Sequence, residues 1–418
     1  MTSTNPPSQS SLTFKGTRVN KQAIGTIGML AVASALIVPG VGGATTTPPS
    51  SEPTATEPAA TAGTETAGSA AAEGAAVDLA GACPETIVIQ SDWFPESEYG
   101  AVYGLLGDDY EIDVENKIVS GSLWSHGQPT GVDIEIRAGG PAIGSDVETE
   151  LYTDDDITFA FGTTDGQILS WEETPMVSVV APLDINPQII MWDPETYPDI
   201  ATLADLGEAG VTINVFGGQT FTDVLVGQGI LTEDQIDPSY DGGPTRFIGE
   251  GGAIAQQGFA SSEPYQYEEV FEDWMKPVAF QTIHDAGFQV YSQTLAIRAD
   301  DLESLAPCLE LFVPVVQRSA VDFVTDPSRT NAAIVDIVAQ YDTFWQYDAG
   351  LAEFSVQTQF ELGLTGNGPD ETIGNMDEAR VATVIDQVRA AGLDVPDDLE
   401  AANVFTNDFI DESIGLDP

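Results

Sequence analysis

From Glu85 onward, short apolar runs of strand character alternate with helical patterns, and this alternation restricts the chain to layered α/β architectures with a mostly parallel sheet. Thr86–Gln90 (TIVIQ) is β-branched and apolar. A helical stretch from Glu98 to Leu106 follows, then a strand over Val132–Arg137 and a helix from Ser145, as N-cap, to Leu151. The strand Ile157–Phe161 runs into Gly162-Thr163-Thr164-Asp165. An extended stretch from Met176 to Trp192, kinked at Pro182 and Pro187, then breaks the rhythm. A second unit begins with helix Thr202–Leu206 and strand Val211–Phe216, passes Gly217-Gly218, and enters a helix at Gln219-Thr220. It continues through a helical segment around Gly252–Gln257 and a strand over Gly258–Ser261. A strand recrosses near Val290–Arg298, and Asp301 to Pro418 is largely helical by pattern. Two crossings that bracket a middle unit predict two lobes joined by a hinge. In such sheets ligands collect at the carboxyl ends of strands, where loops enter helices.

Charge is placed as unevenly as hydrophobicity. All 67 acidic residues lie beyond residue 45, whereas Lys15, Arg18 and Lys21 precede an apolar run from Ala23 to Ala44. A basic flank, an apolar stretch around Met29–Val38, a Pro39-Gly40 break and small residues near Ala44 make 1–44 a signal peptide or signal anchor. Residues 45–82, built of Thr, Pro, Ser, Ala, Gly and Glu, read as a disordered tether. The bulk of the chain is thereby expected outside the cytoplasm, at the cell surface or in a periplasm. A formal net charge of −55 repels a phosphate backbone, which excludes nucleic-acid binding through a basic face. The acidity reads as solubility in a salty medium.

Cys83 and Cys308 are the two cysteines. An even pair in an oxidising compartment favours a disulfide, and no further Cys or His lies near either to complete a zinc set. Lipidation of Cys83 is the alternative, although the apolar run that a lipobox follows is far upstream.

The stretches Ile89–Leu106 (IQSDWFPESEYGAVYGLL), FAFGTTDGQIL, VFGGQTFTDVL and QGFASSEPYQYE together resemble the solute-binding proteins of bacterial ABC importers. The resembling branch is the type II group that binds nitrate, sulfonates and thiamine-precursor pyrimidines. The resemblance covers about residues 84 to 410 and rests on order and spacing more than on any single motif. It implies an α/β, two-lobed type II periplasmic-binding fold with a hinge and a largely helical C-terminal region. Lobe 1 would occupy 83–182, lobe 2 183–290, and the return to lobe 1 with the C-terminal helices 291–418. It further implies a monomer that hands a small molecule to a membrane permease, with no cofactor and no metal.

The implied cleft residues are Trp93, Glu96, Thr163, Thr164, Asp165, Gly218, Gln219, Thr220, Ser261 and Glu263. Each also has a plainer reading. Trp93 either stacks on a flat ring or cation or caps the lobe core. Glu96 and Glu98 are expected to be partly solvated, at least one of them as a helix N-terminal charge. Thr164 or Asp165 suits the N-cap of a helix over Gly166–Trp171. Gly217-Gly218 is either a tight turn or a donor-rich entry to a helix. Glu263 either faces ligand or bridges to Arg298 or Arg246. Carboxylates opposite helix-end donors suit a ligand with both donors and acceptors, such as a pyrimidine, a flavin-like ring or an amine, and oppose a plain oxyanion. A sulfonate, nitrate or taurine-type anion is the alternative ligand class.

Catalysis finds little support. His126 and His284 are the only histidines, Lys117 and Lys276 the only lysines beyond the leader, and no HExxH, GxSxG or P-loop spacing occurs. A pyrimidine-synthesising enzyme shares the broad fold, and the leader argues against that reading. His126 is expected on the surface in a Gly- and Ser-rich loop.

Overall fold

The computed structural model describes residues 77–368 and 370–416, so the leader and nearly all of the tether lie outside the described residues. The chain builds β1 (Thr86–Gln90), β2 (Glu111–Asp113), β3 (Ile118–Ser125), β4 (Gln128–Arg137), β5 (Phe159–Gly162) and β6 (Met176–Val180) before its first crossing. Then follow β7 (Gln188–Trp192), β8 (Ile213–Asn214), β9 (Ile236–Asp237), β10 (Ala255–Phe259) and β11 (Ala279–Thr282), and β12 (Thr294–Arg298) after the return. They form a seven-stranded sheet, β2-β3-β4-β1-β5-β12-β6, and a five-stranded one, β11-β7-β10-β8-β9.

The two sheets share one plan. In the first, β4, β1 and β5 are parallel, and β12 then inserts antiparallel between β5 and β6. In the second, β9, β8 and β10 are parallel, and β7 inserts antiparallel between β10 and β11. Each inserted strand is the first one laid down after a crossing, so each crossing ends inside the sheet of the lobe it enters. This is the two-lobed type II arrangement that the resemblance implies.

Burial explains the strands. β1 carries three consecutive apolar residues, Ile87–Ile89, because helices cover both sheet faces, and its last four residues are buried. β4 instead alternates buried and exposed positions, as a strand with one wet face does. It pairs with β3 through a tight turn at His126-Gly127, where both φ angles are positive, 51° and 69°. The predicted surface loop at His126 is thus the tip of a hairpin that the sequence pattern did not reveal.

Each lobe has its own apolar core. The first gathers Ile87, Ile89, Phe159, Phe161, Leu295 and the buried face of the long helix Leu302–Thr325. The second gathers Ile190, Trp192, Ile213, Phe221 and Leu225. The C-terminal helices are shared: Ser328–Tyr341 packs on the first core, and Glu378–Ala390 sends Val381, Val384, Ile385 and Val388 into the second. Cys83 and Cys308 form a disulfide that ties the approach to β1 to the long helix. Leu79, within the stretch read as tether, is fully buried in the first core.

Several local expectations are corrected. Residues 252–257 are not helical: Ala255–Gln257 begin β10, and the helix lies earlier, at Thr245–Gly249. The helix Val147–Thr153 is capped by Asp146, which accepts from the Thr149 amide, and not by Ser145. Thr163, not Thr164 or Asp165, caps the helix Thr164–Ser170 by accepting from the Gly166 amide. Within the C-terminal region, 362–377 and 405–416 are largely irregular. Among the described residues, no helix is long and apolar enough to cross a membrane.

Candidate functional site

A cleft of about 400 Å³ opens between the lobes, walled by the loops at the strand ends and by both crossings. The loop after β1 supplies Asp92, Trp93, Glu96 and Tyr99, and the loop after β5 supplies Thr163 and Asp165. From the second lobe come Gly218, Gln219 and Thr220 beyond β8, with Glu263 beyond β10. Asn186, Gln188, Ser292 and Gln293 line it from the crossings.

Eight of the ten expected residues therefore share one cavity: Trp93, Glu96, Thr163, Asp165, Gly218, Gln219, Thr220 and Glu263. Thr164 and Ser261 do not line it. Thr164 turns inward, fully buried, accepting from the Tyr291 amide while its own amide donates to the Tyr291 carbonyl, so it pins its helix to the return crossing. Ser261, also fully buried, donates its hydroxyl to Glu98 and thereby links the lobes beneath the cleft floor. The neighbouring Ser262 lines the cavity in its place.

Trp93 caps the first core and also lines the cavity. It packs against the first core and meets Phe94 and Trp345 edge-on at 6.0 Å, while Phe216 of the opposite lobe tilts across the cleft at 6.4 Å. Gly140 makes room for it: at φ 55°, a Cβ there would lie 2.4 Å from the indole ring.

The carboxylates are not solvated as expected. Glu96 is 8% exposed and Glu98 4%. Burial, then repulsion from Glu98, Asp92 and Glu263, holds the Glu96 carboxyl well above the usual range. Asp92 accepts from the Tyr99 hydroxyl at 2.6 Å, yet burial still raises it. Glu263 accepts from the Phe259 amide at 2.6 Å and, at 3.5 Å, from the Tyr240 hydroxyl. Burial pushes it up to about 7. Gly258 permits this pose, because a Cβ there would sit 2.8 Å from Glu263 Cγ. Neither expected arginine bridge forms: Arg246 pairs with Asp237, and Arg298 with Asp301 and the carbonyls of Asp154 and Ile157. None of the described residues lining the cleft is Lys, Arg or His.

Amide groups complete the walls. Gln219 Oε1 accepts from Gln188 and Gln257, which fixes the entry to helix Thr220–Gly227 beside the hinge. Ser262 Oγ, Ser292 Oγ and Gln293 Oε1 line the cavity, are buried, and have no hydrogen-bond partner among the described residues. Sequence reasoning missed Asp92, Tyr99, Phe216, Tyr240, Trp345 and the crossing residues. Asp92 stood next to Trp93 and was within reach of the same argument; Trp345, far downstream, carried no signal.

Fold and site together define a two-lobed α/β protein with a polar and aromatic groove at its seam. No family model and no curated protein matches this chain. Among solved structures it is similar to the ligand-binding component of an ABC-type import system from Staphylococcus aureus, at 12% identity and a TM-score of 0.49, over 78% of this chain and 98% of that one. It is also similar to the periplasmic aliphatic sulphonate binding protein of Escherichia coli, at 14% identity, TM-score 0.48, with 74% and 87% covered. A third is the periplasmic nitrate-binding protein of Synechocystis PCC 6803, at 11% identity, TM-score 0.45, with 78% and 87% covered.

Proposed function

We propose that this chain is the extracytoplasmic solute-binding component of an ABC importer, capturing a small polar nitrogen-containing metabolite between its lobes and presenting it to a membrane permease. The observation that carries the reading is convergence. Residues spread over 170 positions of the chain, Trp93 and Asp165 from one lobe and Thr220 and Glu263 from the other, line one cavity at strand ends. A ligand that touches both walls binds the closed arrangement better than the open one and so shifts the population toward it. The aromatic wall supplies contact area, and the amide, hydroxyl and carboxyl groups supply orientation.

Thermal denaturation against a panel of pyrimidines, flavins, amines, sulfonates and nitrate tests it. A specific ligand at a hundred-fold excess over its Kd stabilises by about 2.7 kcal/mol, visible as a raised Tm. Glu263→Ala weakens that binding by far more than Glu272→Ala, which removes an exposed acid. Equal effects of the two substitutions, or turnover of a panel member, contradict the reading.

A further inference from the structure

The cleft combines buried carboxylates, aromatic faces and unpartnered acceptors, with no positive side chain among its described lining residues. Asp92 is held by Tyr99, and Glu263 by the Phe259 amide, but among the described residues no hydrogen bond reaches the Glu96 side chain. Glu96 is nonetheless more than nine-tenths buried, lines the cavity, and stands among like charges from Asp92, Glu98 and Glu263. A buried acid without a partner is costly, and it persists where a bound group completes it. A positively charged group beside Glu96 favours the ionised form that burial disfavours, and so makes a matching partner.

The surroundings narrow the kind of cation. A cavity of about 400 Å³ is far larger than a bare ion, and among the described residues no cluster has metal-ligating geometry. Trp93 and Phe216 meet across the cleft as a tilted pair, ring centroids 6.4 Å apart, with Tyr240 behind Phe216 at 4.7 Å, so an apolar or flat body lies against an aromatic wall that also attracts cations. Gln293 Oε1 offers one more acceptor. We propose that the solute is an organic cation, its body packed against the aromatic wall of Trp93 and Phe216 and its protonated or quaternary nitrogen received by Glu96, with Asp92 and Glu263 as further acceptors. This rests on the solute-capture reading and names its ligand class. An anion gains no attraction from these carboxyls, whereas a cation stabilises their ionised forms and draws affinity from them.

Matched pairs that differ in charge but not in shape test this by calorimetry on the full folded protein: benzamidine against benzamide, and choline against 3,3-dimethylbutan-1-ol. The expected result is that the cationic member of at least one pair binds at least ten-fold more tightly than its neutral twin. Glu96→Gln, which removes the ionisable carboxyl and keeps the shape, then lowers affinity for that cation at least ten-fold and leaves the neutral twin within about two-fold. Tighter binding of the neutral twins or of a sulfonate overturns the cation while leaving solute capture intact. A cation that binds Glu96→Gln as well as the parent protein overturns the role of Glu96. Silence of cations, neutral twins and sulfonates alike counts against both proposals.

Discussion

Glu263 shows how a single side chain sets a pH dependence. Its carboxyl titrates near 7 in the fold, above its ordinary value, with burial as the first cause. Between about pH 4.5 and 7 the folded chain therefore keeps a proton that the unfolded chain has lost, so stability falls as pH rises through that window. Burial shifts Glu96, Glu98 and Asp92 in the same direction. Glu263→Gln accordingly raises the Tm of the ligand-free protein near neutral pH and shrinks the loss of Tm between about pH 5 and 7; an unchanged pH profile speaks against this burial. Strand-end logic found Trp93, Asp165, Thr220 and Glu263 because a loop that leaves a strand has few places to go. It could not separate Thr163 from Thr164, since one step along a helix start turns a side chain by about 100°, enough to exchange cleft for core. Nor could it foresee that Glu96 and Glu98 would be buried, which depends on the opposite lobe and on Trp345.

Among the elements, the crossings and the disulfide settle the architecture. Pro182 and Pro187 mark the first crossing in the sequence, and the apolar run in Val290–Arg298 marks the second; β7 and β12 are where that reading places them. The β3–β4 hairpin escaped notice because Gly121, Ser120 and Ser122 dilute the strand pattern. The strand β10 was misread around 252–257 because its glutamines and alanine carry weak strand preference, and pairing with β7 and β8 overrides it. The Cys83–Cys308 disulfide spans 225 residues and anchors the start of the described chain to the helix Leu302–Thr325. On loop entropy alone its removal by Cys83→Ser with Cys308→Ser costs up to about 5 kcal/mol in denaturant unfolding, and a cost near zero contradicts a stapling role.

For the molecule as a whole, a net charge of −55 makes self-repulsion a standing cost of the folded state. Raising ionic strength from about 0.01 M, where charges interact over about 30 Å, to about 1 M, where they reach about 3 Å, is expected to raise the Tm; a flat response contradicts this account. The cleft acids differ from this solvated charge in being buried beneath both lobes, and their chemistry belongs to the ligand more than to the solvent. The most direct test is a crystal structure of the protein grown with the organic cation that raises its Tm most. The account predicts density for that cation in the cleft against Trp93 and Phe216, its nitrogen against Glu96, touching both lobes. Density elsewhere on the surface, with the cleft holding only water, would contradict it.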